Sequence, residues 1–228
     1  MIEEPPLLTV RRRTRRPTEA QLAAFRDVPT GIVVDAMDGR GALWAAVAPL
    51  DHAEHVAGPA LTAENGPADV LATLAALRFV EPGDVLVVAT GGHEGAACAG
   101  DRVAGMLRNA GGAALVADGP MRDAAGIARV GLPVWCTGLT PASPFAAGPG
   151  RVGVPVQVGG RQVADGDVVV ADRDGVVVVP WAEIDAVAAR IPQVAALEAA
   201  LDAEVEGGRR TADPVEALLD SDRTRWID

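Results

Sequence analysis

GGHEGAACAGDRVAGMLRNAGGAALVADGPMRD, residues 91–123, is the stretch on which the reading of the chain turns. A glycine-rich loop passes through Gly100-Asp101 into a helical pattern, the apolar run Ala113 to Ala117 follows, and the stretch closes on Arg122-Asp123. Twenty residues separate Asp101 from Arg122. A loop, helix, strand, loop path of that length returns the chain to the same edge of a sheet, so two carboxylates and a guanidinium can face one pocket. That set suits a hard metal ion holding an acidic substrate.

Working outward, the pattern predicts alternating helices and strands. Thr18 and Gln21 have capping-box spacing, with Leu22 and Phe25 at helical intervals, so a helix over 18–27 is expected, and a short one over 30–37. Residues 56–63 read as a strand, and 68–80 as a helix with Leu71, Leu74 and Leu77 on one face. Val85 to Val88 is a short buried strand. After the central stretch come a small helix over 124–130 and a strand over 133–137. GLTPASPFAAGPG, residues 138–150, is too rich in Pro and Gly for regular structure and reads as a long site loop. From Arg151 to Pro180 the period switches to alternating, β-branched residues with glycine turns, a β-rich layer. One long helix over 181–206 ends at Gly207-Gly208. The expected organisation is an N-terminal arm (1–17), one α/β domain (18–208) and a polar tail (209–228), either a mobile extension or an arm packed on a neighbour.

Composition excludes several chemistries. All 20 cationic side chains are Arg and none is Lys, which rules out Schiff-base aldolases, pyridoxal-phosphate enzymes and Walker-type nucleotide hydrolases. A net charge of -11 opposes general binding to nucleic-acid backbones. The one basic cluster, Arg11, Arg12, Arg13, Arg15 and Arg16, reads as a solvated or subunit-contacting arm. No apolar run reaches the length of a membrane span and no signal-peptide core opens the chain, so a cytoplasmic protein is expected. Two cysteines, Cys98 and Cys136, are too few for a disulfide framework or a thiolate metal cluster.

Each site residue also has a plain role. Asp101 can be the N-cap of the helix from Arg102, Asp123 can cap the next helix, and Arg122 can merely pair with it. His93 and Glu94 are candidate ligands in the glycine loop, while His52 and His55 read as surface residues. Cys98 has no base partner for nucleophilic chemistry. No GxGxxG opens a helix, so a nucleotide site is set aside.

Gly100-Asp101, twenty intervening residues and Arg122-Asp123 resemble the motif of the class II 4-hydroxy-4-methyl-2-oxoglutarate/4-carboxy-4-hydroxy-2-oxoadipate aldolases, within the family that also holds the RraA-like regulators of ribonuclease activity. RRPTEAQLAAFRDVPTGIVVDAM, EPGDVLVV and VPVQVGGRQVADGDVVVADRDGVVVVP extend the likeness over residues 8–208. The resemblance implies a layered α/β/β sandwich of the swivelling phosphohistidine-domain-like type with a long C-terminal helix. It implies Mg2+ or Mn2+ bound by Asp123 directly and by Asp101 through a water. Arg122 would contact the carboxylate and keto oxygens of a 2-oxo acid, with Gly100 and the amides of Arg102 and Val103 at the helix start completing that site. Cleavage would give a pyruvate enolate, and oxaloacetate would be decarboxylated through the same species. Family members form trimers or hexamers in which a neighbour's C-terminal helix supplies an acidic residue, and counting back from Gly208 makes it Glu198. Pro192 interrupts that helix where relatives continue it. Regulators of the family typically lack both aspartates, which this chain keeps; a non-catalytic regulator is the alternative.

Overall fold

The computed structural model describes residues 6–51 and 55–227. β1 (Leu8–Val10) leads into α1 (Glu19–Ala23) and α2 (Thr30–Ala36), followed by β2 (Ala48–Pro49), β3 (Val56–Asn65) and α3 (Leu71–Ala76). β4 (Val85–Ala89), α4 (Asp101–Asn109), β5 (Ala114–Ala117), α5 (Ala124–Val130) and β6 (Val134–Cys136) then alternate. β7 (Gly150–Val152), β8 (Val156–Val158), β9 (Arg161–Val163), β10 (Val168–Ala171) and β11 (Val176–Val179) form the β-rich part, before α6 (Ile184–Glu206) and α7 (Asp213–Leu219).

The main sheet runs β1-β7-β3-β4-β5-β6-β2, and its centre, β3 to β6, is parallel. β3 serves two ladders. Its first half pairs antiparallel with β10 and its second half parallel with β4, which folds the β10–β11 layer across the sheet. Side chains alternate across a strand, so each central strand feeds two cores. Leu61, Ala63, Leu86, Val88, Leu115 and Ala117 face α3, α4 and α5, meeting Ala72, Val103, Leu107 and Ile127. Their neighbours Ala60, Val85, Val87, Ala114 and Val116 face Val156, Val158, Val163, Val169 and Val178 of the second β layer. The result is the helix, sheet, sheet layering that the resemblance implied. Short aliphatic side chains suffice because both faces of the sheet are covered.

Several local expectations change. The capping box of Thr18 and Gln21 is present, yet α1 lasts five residues before turns take over. In α3 the buried face is Ala72, Thr73 and Ala76, and Leu74 is exposed. The helix lies so close to β7 that a Cβ at Gly150 would sit 2.8 Å from the Ala72 methyl, and only small residues fit that face. The arginine cluster is not a solvated arm throughout. Arg13 donates to both oxygens of Asp84 at 3.1 and 3.0 Å and forms paired bonds to Asp165 at 3.2 Å, while Arg16 also pairs with Asp84. Arg11 and Arg12 remain exposed.

The chain forms two compact units, Met1–Ile191 and Pro192–Asp228. Pro192 does not end α6, which runs 23 residues through it. In the first unit α6 buries Ile184, Val187 and Ile191. In the second unit α7 orders part of the expected tail, and Leu197, Leu201, Val205 and Trp226 are exposed. Among the described residues no helix is long and apolar enough to cross a membrane.

Candidate active site

Three segments that leave the C-terminal ends of β4, β5 and β6 continue side by side beyond the sheet. Cys98 N–H donates to Pro120 C=O at 2.8 Å and Arg122 N–H to Ala99 C=O at 3.1 Å. Met121 N–H donates to Gly138 C=O and Thr140 N–H to Met121 C=O, both at 2.9 Å. Ala99, Met121 and Leu139 thereby form successive parallel bridges. The carboxyl ends of parallel strands are where open α/β sheets place their ligands. Here the backbone carries Gly100-Asp101 and Arg122-Asp123 to that edge together.

The plain capping roles fail for both aspartates. The N-cap of α4 is Gly100, and Asp101 is already the first helical residue. Asp123 sits at the N-cap of α5 in the left-handed region, φ 59° and ψ 41°, and its side chain makes no capping hydrogen bond. Aspartate tolerates this region better than most non-glycine residues, and Asp27, Asp38 and Ala68 share it elsewhere in the chain; what marks Asp123 is that its carboxylate is left free of a capping bond. The freed carboxylate turns to Arg122, whose Nε lies 3.2 Å from Asp123 Oδ2, with both side chains part-exposed.

Glycines make room for the acids. A Cβ on Gly100 would lie 2.7 Å from Asp123 Oδ2 and 3.0 Å from Arg122 Cγ, so any larger residue would push the pair out of its present place. The Asp101 carboxylate rests on Gly126 of α5, where a Cβ would come within 2.3 Å of Oδ2. Ala104 N–H makes the helical bond to Gly100 C=O, which leaves the amides of Arg102 and Val103 in the first turn outside the ladder. Arg102 is exposed, whereas the Val103 side chain is core. Two carboxylates, a guanidinium and helix-start amides thus share one edge.

The donor set decides which metal suits it. Asp101 and Asp123 offer oxygen only, which fits a small hard cation that keeps several waters. Among the described residues no group of three or more His, Cys, Asp or Glu could hold a metal ion. Glu198 lies half-buried in the second unit, beyond Pro192. His93 and Glu94 line a different cavity of about 660 Å³, with Glu64, Arg151, Gln157 and Gln162. His55 Nε2 lies 2.8 Å from Val28 C=O, and His52 is outside the described residues. Cys98 is buried against Met121, and burial pushes its thiol pKa up, away from thiolate chemistry.

Three supporting residues escape a reading of the sequence. Asp118 holds the glycine loop, accepting from Thr90 N–H at 2.6 Å and Gly92 N–H at 3.2 Å. Its place directly after the β5 run was the available signal. Asp69 accepts from Leu71, Ala147 and Gly148 N–H groups; burial raises its pKa, but these backbone donors outweigh that and lower it. Ser143 accepts a hydrogen bond from Arg122 Nη1 across 21 positions of sequence, and no motif marks it.

These features define an α/β protein with an acid–guanidinium cluster at its strand ends. The chain belongs to the RraA-like family (Aldolase/RraA), which it matches over residues 30–178. It is 38% identical over 159 residues, 70% of this chain and 76% of the relative, to a protein of Halalkalibacterium halodurans named "Putative 4-hydroxy-4-methyl-2-oxoglutarate aldolase". Among solved structures it is similar to Streptomyces coelicolor RraAS2, described as an unusual member of the RNase ES inhibitor RraA family. The TM-score is 0.74 at 32% identity, covering 83% of this chain and 100% of that one. The RNA-processing inhibitor RraA from Thermus thermophilus aligns with TM-score 0.62 at 27% identity, over 68% and 93% of the two chains.

Proposed function

We propose that the protein is a divalent-metal-dependent lyase that cleaves 4-hydroxy-4-methyl-2-oxoglutarate-type 2-oxo acids by retro-aldol reaction to pyruvate, and decarboxylates oxaloacetate as a side activity. The observation that carries this reading is the uncapped, part-exposed carboxylate of Asp123 beside Arg122 over Gly100. The aldolase-named relative supports the reaction class.

Asp123 would hold Mg2+ or Mn2+ directly and Asp101 would hold it through a water. The bound cation would act as a Lewis acid toward the substrate's keto group. Arg122 would grip the 2-oxo acid through its carboxylate and keto oxygens, and the amides of Arg102 and Val103 would take the remaining carboxylate charge. When the carbon–carbon bond breaks, its electron pair moves into the keto group, and the Arg122 guanidinium meets the negative charge that grows on that oxygen. In the aldol substrate the hydroxyl proton leaves as the second carbonyl forms; a water beside Asp101 would take it. Protonation of the resulting enolate carbon gives pyruvate. Loss of CO2 from oxaloacetate leaves the same enolate, which is why one site would serve both. Glu198 of a neighbouring copy would complete the site in a trimer or hexamer.

The test is pyruvate release from both substrates with Mg2+ or Mn2+, then with excess EDTA, against metal-only controls. EDTA-sensitive turnover well above the free-metal rate is expected. A correctly folded oligomer that turns over neither substrate would remove the aldolase reading and favour a regulator of the kind that the RraA relatives' names describe.

A further inference from the structure

We propose that Ser143 is a positioning residue for Arg122, holding its guanidinium in the orientation that receives a 2-oxo acid; the substrate part rests on the function proposed above. Arg122 Nη1 donates to Ser143 Oγ on one side while Nε faces Asp123 Oδ2 at 3.2 Å on the other. The guanidinium is therefore hydrogen-bonded through Nη1 on one side and ion-paired with its neighbour on the other. An arginine side chain left free carries several rotamers that a ligand must freeze.

Ser143 can do this because its loop is tied down on both sides. Upstream, Thr140 N–H is bonded to Met121 C=O, and Ala97 N–H donates to Ala142 C=O at 3.0 Å. Downstream, Phe145 N–H donates to Ala68 C=O at 2.7 Å and Val70 N–H returns a bond to Phe145 C=O at 2.9 Å. The buried Asp69 carboxylate then holds Ala147 and Gly148 at 2.7 and 2.9 Å. Between these anchors the backbone presents the Ser143 hydroxyl to Arg122, although the side chain itself is exposed. A loop without regular structure thus acts as a rigid arm, and its one side-chain hydrogen bond to the site reaches the cation.

The cost of losing Ser143 falls on binding. Once substrate oxygens occupy Arg122 they hold it themselves, so the hydroxyl contributes before substrate arrives and little afterwards. Ser143→Ala is expected to raise KM for oxaloacetate about three- to tenfold, the worth of one ordinary hydrogen bond, with kcat within about twofold. Ser143→Thr keeps the hydroxyl and is expected to restore KM. Collapse of the loop would instead lower kcat or thermal stability in both variants. An unchanged KM in Ser143→Ala, or no rescue by threonine, overturns the proposal.

A second measurement is independent of turnover. In protein carrying 15N-labelled arginine, the Arg122 Nη–H resonances are assigned by their loss in Arg122→Lys. Slow solvent exchange of an Nη proton in the wild type, lost in Ser143→Ala and regained in Ser143→Thr, supports the positioning role. Exchange unaltered by Ser143→Ala sinks it. If the wild type turns over no substrate, the aldolase reading fails, and the exchange experiment still decides what Ser143 does.

Discussion

Two arginine–aspartate groupings in this protein use the same chemistry to opposite ends. At the clamp, Asp84 is 0% exposed and every acceptor position is taken: Arg13 binds both oxygens, Arg16 binds one, and Glu81 N–H donates to the other at 2.9 Å. At the strand ends, Asp123 is 45% exposed, is held in a left-handed backbone conformation, and has one arginine nitrogen beside it. A saturated carboxylate has nothing left to give a ligand. An under-used one has, and that difference sets a scaffold carboxylate apart from one in the candidate site.

That contrast can be broken most forcefully at the clamp. Asp84→Ala takes the shared partner from Arg13 and Arg16, which keep Asp165 and Glu81, and leaves a buried gap, so a loss of about 2–3 kcal/mol in urea unfolding is expected. A loss below about 1 kcal/mol would rank the clamp with ordinary surface pairs. At the site the signs reverse. Asp123→Ala and Asp123→Gly are both expected to cut turnover about 100- to 1000-fold. Asp123→Gly should meanwhile keep stability or raise it by up to about 1 kcal/mol, because glycine adopts φ 59° without strain. A glycine variant that unfolds early would return Asp123 to a structural role.

The smallest expected effect is on pH dependence. Burial raises the pKa of Asp167 above its ordinary 3.8, against the opposing N–H groups of Ala164 and Trp181 and the charge of Arg15. The native state then holds a proton that the unfolded chain has released, so stability falls as pH rises from 3.8 to the raised value. Asp167→Asn should remove that slope. Asp69 runs the other way, since its pKa is lowered: its contribution is present above 3.8 and fades as pH falls through the folded value. Stability measured from pH 3 upward in the Asn variants separates the two.

How much of this was legible beforehand follows from the range of each signal. The alternation of Leu86 and Val88 against Val85 and Val87 is local, and it announces a strand buried on both faces. The capping box at Thr18 is local too. The twenty-residue spacing of the two motifs was legible because a helix and a strand, α4 and β5, fill that distance and return the chain to the same edge. What could not be read depends on partners far along the chain. Arg13 meets Asp165 across 152 positions and Arg122 meets Ser143 across 21, and neither pairing leaves a pattern in sequence. The face of α3 was misread for a related reason. Leucines at helical spacing mark an apolar stripe, but the closeness of β7 at Gly150 selects Ala72 and Ala76 instead.

The ladder that joins Ala99, Met121 and Leu139 is made of main-chain groups. Peptide groups are the same whatever side chain they carry, so replacing the side chains of Asp101, Asp123 or Arg122 leaves in place the groups that bring the three loops to one edge. The register of the three loops and the chemistry of the side chains they carry can thus be changed independently of each other.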